Sequence, residues 1–273
     1  MFVPLEGSWA LIFGVSSGMG KETARALAEA GCHIIGVHFD LAEGQQQAEQ
    51  YAKTVGELGV EAHFFNRNVA APKTRAELVP VIHDLTSGVG PRVVLHSVAY
   101  GTLTSLLPSA PGGGQDQDAV LPEVTPKQLA MTVDVMGHSL VYWIQDLVQA
   151  SLLPRGAKVF AMTSAGGARV LSGYAPVAAA KATLESHVRN LAVELAPRGV
   201  AVNAIRAGTT ITPALEKIPG NQKLIDHCRD INPGGRLTRT EDVAEAIVAL
   251  SVSDSSWLTG NVIGVDGGEA LVV

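Results

Sequence analysis

Tyr174 and Lys181, seven residues apart, are the pair in this chain best placed to move a proton. Tyr174 closes a loop of small residues, TSAGGARVLSGY, and Lys181 follows in the Ala-rich run APVAAAKATLESHV. A phenol can donate a proton to an oxygen that gains charge, and a nearby ammonium stabilises that charge or grips a ligand hydroxyl. On an ordinary helix surface the same two residues would mean nothing. The chemistry requires a nucleotide or substrate site beside them, so the elements that would carry such a site come next.

The first is Trp9-Ala-Leu-Ile-Phe13, a short apolar run ending in Gly14-Val-Ser16-Ser-Gly18-Met19-Gly20 and continued by the helical pattern KETARALAEAG. This reads as strand, Gly-rich turn and helix, a geometry that aims backbone N–H groups and a helix N-terminus at one point where a pyrophosphate fits. The other reading is a tight turn with no ligand. A second strand, His33-Ile-Ile-Gly-Val-His38, ends at Phe39-Asp40, about twenty residues beyond the glycines, where a dinucleotide fold places its ribose-reading acid. Asp40 in that role would accept hydrogen bonds from both ribose hydroxyls and repel a 2′-phosphate, which favours NADH over NADPH. It also reads as a turn residue or N-cap for the helix expected over 43–58.

A third strand over 60–65 brings Asn68 and Val69 to the edge along which an adenine would lie. After a helix over 72–87, the run Arg92-Val-Val-Leu-His96 forms a fourth strand, and Ser97-Val98-Ala99 supplies small residues where a cofactor needs room. A helix is expected over 126–152, and a fifth strand over 157–162 enters the Tyr174 loop. A sixth strand over 199–205 ends in a turn holding Gly208, Thr210 and Thr212, hydroxyl and small residues suited to the nicotinamide half. A helical flap over 214–231, a helix over 240–253 and a strand over 261–265 complete the pattern. Strands alternating with helices predict an α/β fold, a Rossmann-type doubly wound parallel sheet of about seven strands with helices on both faces.

The length of 273 residues suits one such domain. Segment 101–126 breaks the periodicity with prolines, three consecutive glycines and an acidic patch, and it is read as a substrate-side loop in preference to a disordered insert. A second substrate-side loop is expected at about 208–232. The net charge of −6 argues against nucleic acid or an anionic membrane as partner, since both require a basic surface. Cys32 and Cys228 lie far apart, outside any metal-like spacing, and read as free thiols. No metal site is expected. With no leader pattern and no long apolar run, a cytoplasmic protein is expected. A charged fraction of only 17% predicts homo-oligomerisation, as tetramer or dimer, and the tail Asp266-Gly-Gly-Glu-Ala-Leu-Val-Val273, which ends apolar, suits a subunit interface.

Taken together, GVSSGMG, Asp40, Asn68-Val69, the Tyr174–Lys181 helix, AGTTIT and the terminal VDGG make the chain resemble the short-chain dehydrogenase/reductase family along nearly its full length. Ketone and alcohol enzymes of that family place the tyrosine four residues before the lysine, a position held here by Val177. The seven-residue spacing resembles the enoyl-acyl-carrier-protein reductase branch, as does His96-Ser97-Val98-Ala99. The resemblance implies NADH-dependent reduction of the C=C of a trans-2-enoyl thioester, carried by acyl carrier protein or coenzyme A. Tyr174 then serves as acid at the thioester oxygen and Lys181 holds the cofactor ribose. Ser164 stands where many enoyl reductases carry an aromatic residue and where ketone reductases carry a serine, so a 3-ketoacyl reductase is the alternative. A catalytically silent NAD(H)-sensing module is a further alternative, although such a protein has no need of both Tyr174 and Lys181.

Overall fold

A computed structural model describes residues 3–108, 122–218 and 220–272. Seven strands, β1 (Trp9–Phe13), β2 (His33–His38), β3 (Ala62–Asn66), β4 (Val93–His96), β5 (Lys158–Ser164), β6 (Ala201–Ala207) and β7 (Val262–Val265), form one sheet in the order β3-β2-β1-β4-β5-β6-β7. Every pairing is parallel. All seven carboxyl ends therefore share one edge. The order reverses between β1 and β4, which opens a crevice at that edge.

The sheet is covered on both faces, and this is why its central strands read as unbroken apolar runs. Successive side chains of a strand point to opposite faces. Leu11 and Phe13 accordingly join Trp143, Leu184 and Val188 in one core cluster, whereas Ala10 and Ile12 join Leu27 and Ile247 in the other. The first layer is built from α3 (Pro72–Leu85), α5 (Ser139–Gln149) and α6 (Ala175–Leu195), the second from α1 (Gly18–Glu29), α2 (Ala42–Gly56) and α9 (Thr240–Ser251). Trp143 is fully buried and donates its indole N–H to the Val69 carbonyl at 2.9 Å, tying α5 to the chain after β3.

The expected helix over 126–152 is not one regular helix. It comprises α4 (Pro126–Val133), a π-helical turn at Asp134–His138, and α5. Ser139 Oγ, at the start of α5, donates back to the Val135 carbonyl of the turn at 2.7 Å, and Gly137 lies so close to α6 that a Cβ there would be 3.2 Å from the Ala180 carbonyl oxygen. The extra residue in the turn realigns the helix for that approach. The expected helical flap is likewise two pieces, α7 (Pro213–Glu216) and α8 (Asn221–Ile231), and Leu215, Ile225 and the intervening Ile218 form a separate apolar cluster. Of the expected loop at 101–126, residues 109–121 lie outside the described residues. Among the described residues, no helix is long and apolar enough to cross a membrane.

The crevice depends on backbones meeting without side chains between them. Gly14 has φ +86°, and a Cβ on it would sit on the Ser97 carbonyl, 2.9 Å from its carbon. Gly14→Ala should therefore destabilise the fold by about 3 kcal/mol or more, from the left-handed backbone and the collision together. Urea unfolding of the variant measures this, and an unchanged midpoint would refute the assignment of that close approach.

Candidate functional site

Ser164 ends β5, a 3₁₀ turn spans Ala165–Gly167, and Tyr174 stands immediately before α6 with Pro176 in the first helical turn. Proline is tolerated there because the first N–H groups of a helix lack partners in any case. Two glycines let the loop cross the face of the helix. A Cβ on Gly166 would lie 2.5 Å from Tyr174 Cε1, and one on Gly167 would lie 3.3 Å from Lys181 Cβ. The small residues of TSAGGA are thus a packing requirement of the two side chains beneath them.

Tyr174 Oη lies 3.2 Å from Ser164 Oγ. Burial pushes the phenol above its ordinary value of 10.0, and the hydrogen bond with Ser164 partly opposes this. Lys181 Nζ donates to the Met162 carbonyl at 2.7 Å and is buried; loss of water lowers its pKa to about 8, against the opposing field of Glu185 one helical turn on. Thr163 Oγ1 donates to Glu185 Oε1 at 2.6 Å. His96, at the end of β4, is fully buried and shares a 2.8 Å hydrogen bond with Ser139 Oγ. Burial, with Lys181 adding to it, drives the imidazole down to about 3, so it stays neutral.

Around the phenol the surface is apolar. Tyr174 packs against the buried cluster of Met136, Val177 and Ala180 and against that of Leu215, Ile218 and Ile225, and Leu103 packs against both clusters as well. Thr104, in the segment after β4, bridges to it. Val177, at the position four before the lysine, is core and carries no acid.

At the other end of the crevice, Gly14, Ser16, Gly18, Met19 and Gly20 form the turn into α1, whose N-cap Ser17 makes no side-chain capping bond. Gly20 packs on the Gly14 carbonyl, where a Cβ would be 2.9 Å from the carbonyl carbon. Met19 turns its side chain onto the core. This bare cradle, at the start of a helix whose first N–H groups have no side-chain cap, fits a pyrophosphate. Asp40 stands just beyond β2, its carboxylate 2.8 Å from His38 Nδ1 and its backbone held on both sides by Asn66 at 2.9 and 3.0 Å. Arg67, which follows β3, is paired with Glu77. Asn68 accepts from the Ala70 N–H at 3.0 Å, and Val69 is buried beneath it. Ser97, Val98 and Ala99 follow β4; Val98 is buried and Ala99 exposed.

Beyond β6, the turn with Gly208, Thr210 and Thr212 crosses back toward the Gly-rich turn: a Cβ on Gly18 would be 3.5 Å from the Thr212 methyl. Thr212 caps α7 by accepting from the Leu215 N–H, and Thr210 Oγ1 donates to the Gly208 carbonyl at 2.9 Å. Buried Glu269 holds this turn by accepting from the Thr209 N–H and hydroxyl, both at 3.0 Å. The tail expected at an interface is thus also an internal anchor, while Leu271 is exposed. The expected site residues all gather along the carboxyl edge. Sequence reading missed His38, Asn66, Thr163, Glu185 and Glu269; only Glu185 carries a local signal, its i,i+4 spacing from Lys181.

Residues 14–269 match the family model described as enoyl-(acyl carrier protein) reductase. Among curated relatives, the 3-oxoacyl-acyl-carrier-protein reductase FabG of Thermotoga maritima is 28% identical over 266 residues, covering 97% of this chain and 98% of its own. The enoyl-acyl-carrier-protein reductase (NADH) FabI of Escherichia coli is 33% identical over 159 residues, 58% of this chain and 60% of its own. The crystal structure of an enoyl-acyl-carrier-protein reductase (NADH) from Aquifex aeolicus superposes with a TM-score of 0.83 at 25% identity, covering 98% of both chains. With the family model matched over residues 14–269 and the parallel sheet shared with its structural neighbours, this protein is an oxidoreductase of the short-chain dehydrogenase/reductase family, and the family model that it matches is described as enoyl-(acyl carrier protein) reductase.

Proposed function

We propose that the protein reduces the C=C bond of a trans-2-enoyl thioester with NADH, as an enoyl-acyl-carrier-protein reductase. The observation that carries this reading is the seven-residue spacing of Tyr174 and Lys181, with buried Val177 at the position a ketone-type tyrosine would take. Reducing a conjugated C=C develops charge on an oxygen removed from the carbon that accepts hydride, so the acid must stand further along the substrate. The apolar wall formed by Leu103, Val177, Leu215 and Ile218 around the phenol supports an acyl chain as the group it faces. The segments at 101–126 and 208–232 are the substrate-side loops in this reading.

Gly14, Ser16, Gly18, Met19 and Gly20 would hold the pyrophosphate, Asp40 the adenosine ribose, and Asn68 and Val69 the adenine. Ser97, Val98, Ala99, Gly208, Thr210 and Thr212 would surround the nicotinamide half. The dinucleotide, when bound, supplies the hydride. Tyr174 donates its proton to the thioester oxygen, and Lys181 binds the nicotinamide ribose and keeps positive charge beside the phenol. Asp40 as an acceptor for ribose hydroxyls, with Arg67 already paired to Glu77, supports NADH over NADPH.

One observation favours a 3-ketoacyl reductase instead: Ser164 stands within hydrogen-bond distance of Tyr174, a pair of hydroxyls able to share a ketone oxygen. The FabG likeness over the whole length points the same way. Homo-oligomerisation is supported by Trp257, 94% exposed, beside Leu258 and the uncovered edge of β7.

Dinucleotide oxidation followed with an enoyl thioester and with the matching 3-ketoacyl thioester, each with NADH and NADPH, separates the readings. Turnover of the enoyl substrate with NADH is expected; turnover of the ketone alone would overturn the proposal. Tyr174→Phe should lower kcat about 100-fold or more while leaving NADH affinity within about twofold. Lys181 must be charged to act, and its pKa of about 8 is reached before the phenol, raised above 10.0, loses its proton. The pH profile of kcat/KM should therefore be level near neutrality and fall above about pH 8.

A further inference from the structure

We propose that Glu185 is a positioning residue of the reaction: its carboxylate, anchored by Thr163, supplies the negative potential that keeps Lys181 protonated beneath the active-site loop. This rests on the reading of Lys181 as the charged partner of Tyr174.

Glu185 follows Lys181 by one helical turn, so the two side chains rise from the same side of α6. They form no direct ion pair closer than 4 Å among the described residues, and the lysine instead spends a hydrogen bond on the Met162 carbonyl. The carboxylate acts through its field. Thr163 Oγ1, donating at 2.6 Å, fixes Oε1 against β5, which places the charge at the seam between strand and helix. The 3₁₀ turn then closes over both groups: a Cβ on Gly167 would be 3.2 Å from Glu185 Oε1 and 3.3 Å from Lys181 Cβ. The lysine is buried, which strengthens its attraction to the half-buried carboxylate.

In the π turn packed against α6, His138 pairs with His187 of α6 at 2.9 Å and Asp134 accepts from the Tyr142 hydroxyl at 2.8 Å, and the remaining titratable groups likewise leave Glu185 as the source of that potential. From β4, His96 is buried and neutral. At the start of α6, Tyr174 keeps its proton at neutral pH. From β6, Arg206 lies in register with Thr163 and is paired at 3.5 Å with Asp266, beyond β7. Burial alone would drive the ammonium toward neutrality, and Glu185 is the opposing influence.

Two measurements test this. The titration of Lys181 is followed by NMR of protein labelled with ¹³C-lysine, its signal identified by its loss in Lys181→Met, and this readout holds whatever thioester is turned over. The pH profile of kcat/KM is followed with the active thioester. Glu185→Gln keeps an acceptor for Thr163 and removes only the charge, so the lysine titration and the alkaline limb should both move down by about one pH unit. That corresponds to a loss of about fivefold at pH 8 with little change at pH 6. Glu185→Asp should restore most of the shift. Thr163→Val, which frees the carboxylate, should move both in the same direction by less, and it carries the test should Glu185→Gln not fold. An unmoved lysine titration in these variants would overturn the proposal. Absence of turnover with either thioester, with the titration shifted as expected, would instead overturn the functional reading and leave the electrostatic one standing.

Discussion

A lysine ammonium held away from water, in the angle between β5 and α6, is the constraint on which the arrangement of this site depends. Burying a charge is costly unless hydrogen bonds and opposite charge compensate it. Here the compensation comes from the Met162 carbonyl at the end of a strand and from a carboxylate one turn along the helix. The strand and the helix must therefore keep their relative position closely. Gly166 and Gly167, the proline in the first turn of α6 and the π turn that seats Gly137 against α6 all serve that alignment.

The same economy of space governs the opposite end of the crevice. Gly14, Gly20 and Ser97 bring β1, α1 and β4 together through backbone contact, leaving a bare cradle with an uncapped helix N-terminus. Between the two ends, the turn after β6 lies against the Gly-rich turn at Thr212 and is held from below by Glu269. Tyr174 joins the halves, with a polar hydroxyl toward Ser164 and an apolar ring shared by two clusters, one built from the π turn and α6 and the other from the flap. A substrate with a polar reacting oxygen and an apolar chain matches both surroundings of that ring.

Much of this was legible in the chain before any coordinates. Parallel strands covered on both faces declare themselves as apolar runs, and the turns between them as glycines. The place of Asp40 just beyond β2 was legible from its distance past Gly20, and the place of Tyr174 at the head of the helix that carries Lys181 from the pattern around them. The π turn was not, because 126–152 keeps a helical pattern throughout, and the departure is set by how closely α6 must approach Gly137. The polar contacts that support the site were also hidden. Thr163 and Glu185 are 22 residues apart, Asp40 and Asn66 are 26 apart, and Thr209 and Glu269 are 60 apart.

By itself, the sequence determined the sheet and its alternation with helices, and it singled out Tyr174 and Lys181 as the proposed acid and its lysine, because each follows from short-range pattern or spacing. Only the tertiary structure decided how those groups are charged and held. It placed Lys181 in a dry seam beside one carboxylate, made His96 a buried neutral imidazole, set Ser164 against the phenol and tied Thr209 to the tail. Proton affinity and hydrogen-bond reach depend on what surrounds a group in space, and no local spacing along the chain encodes that.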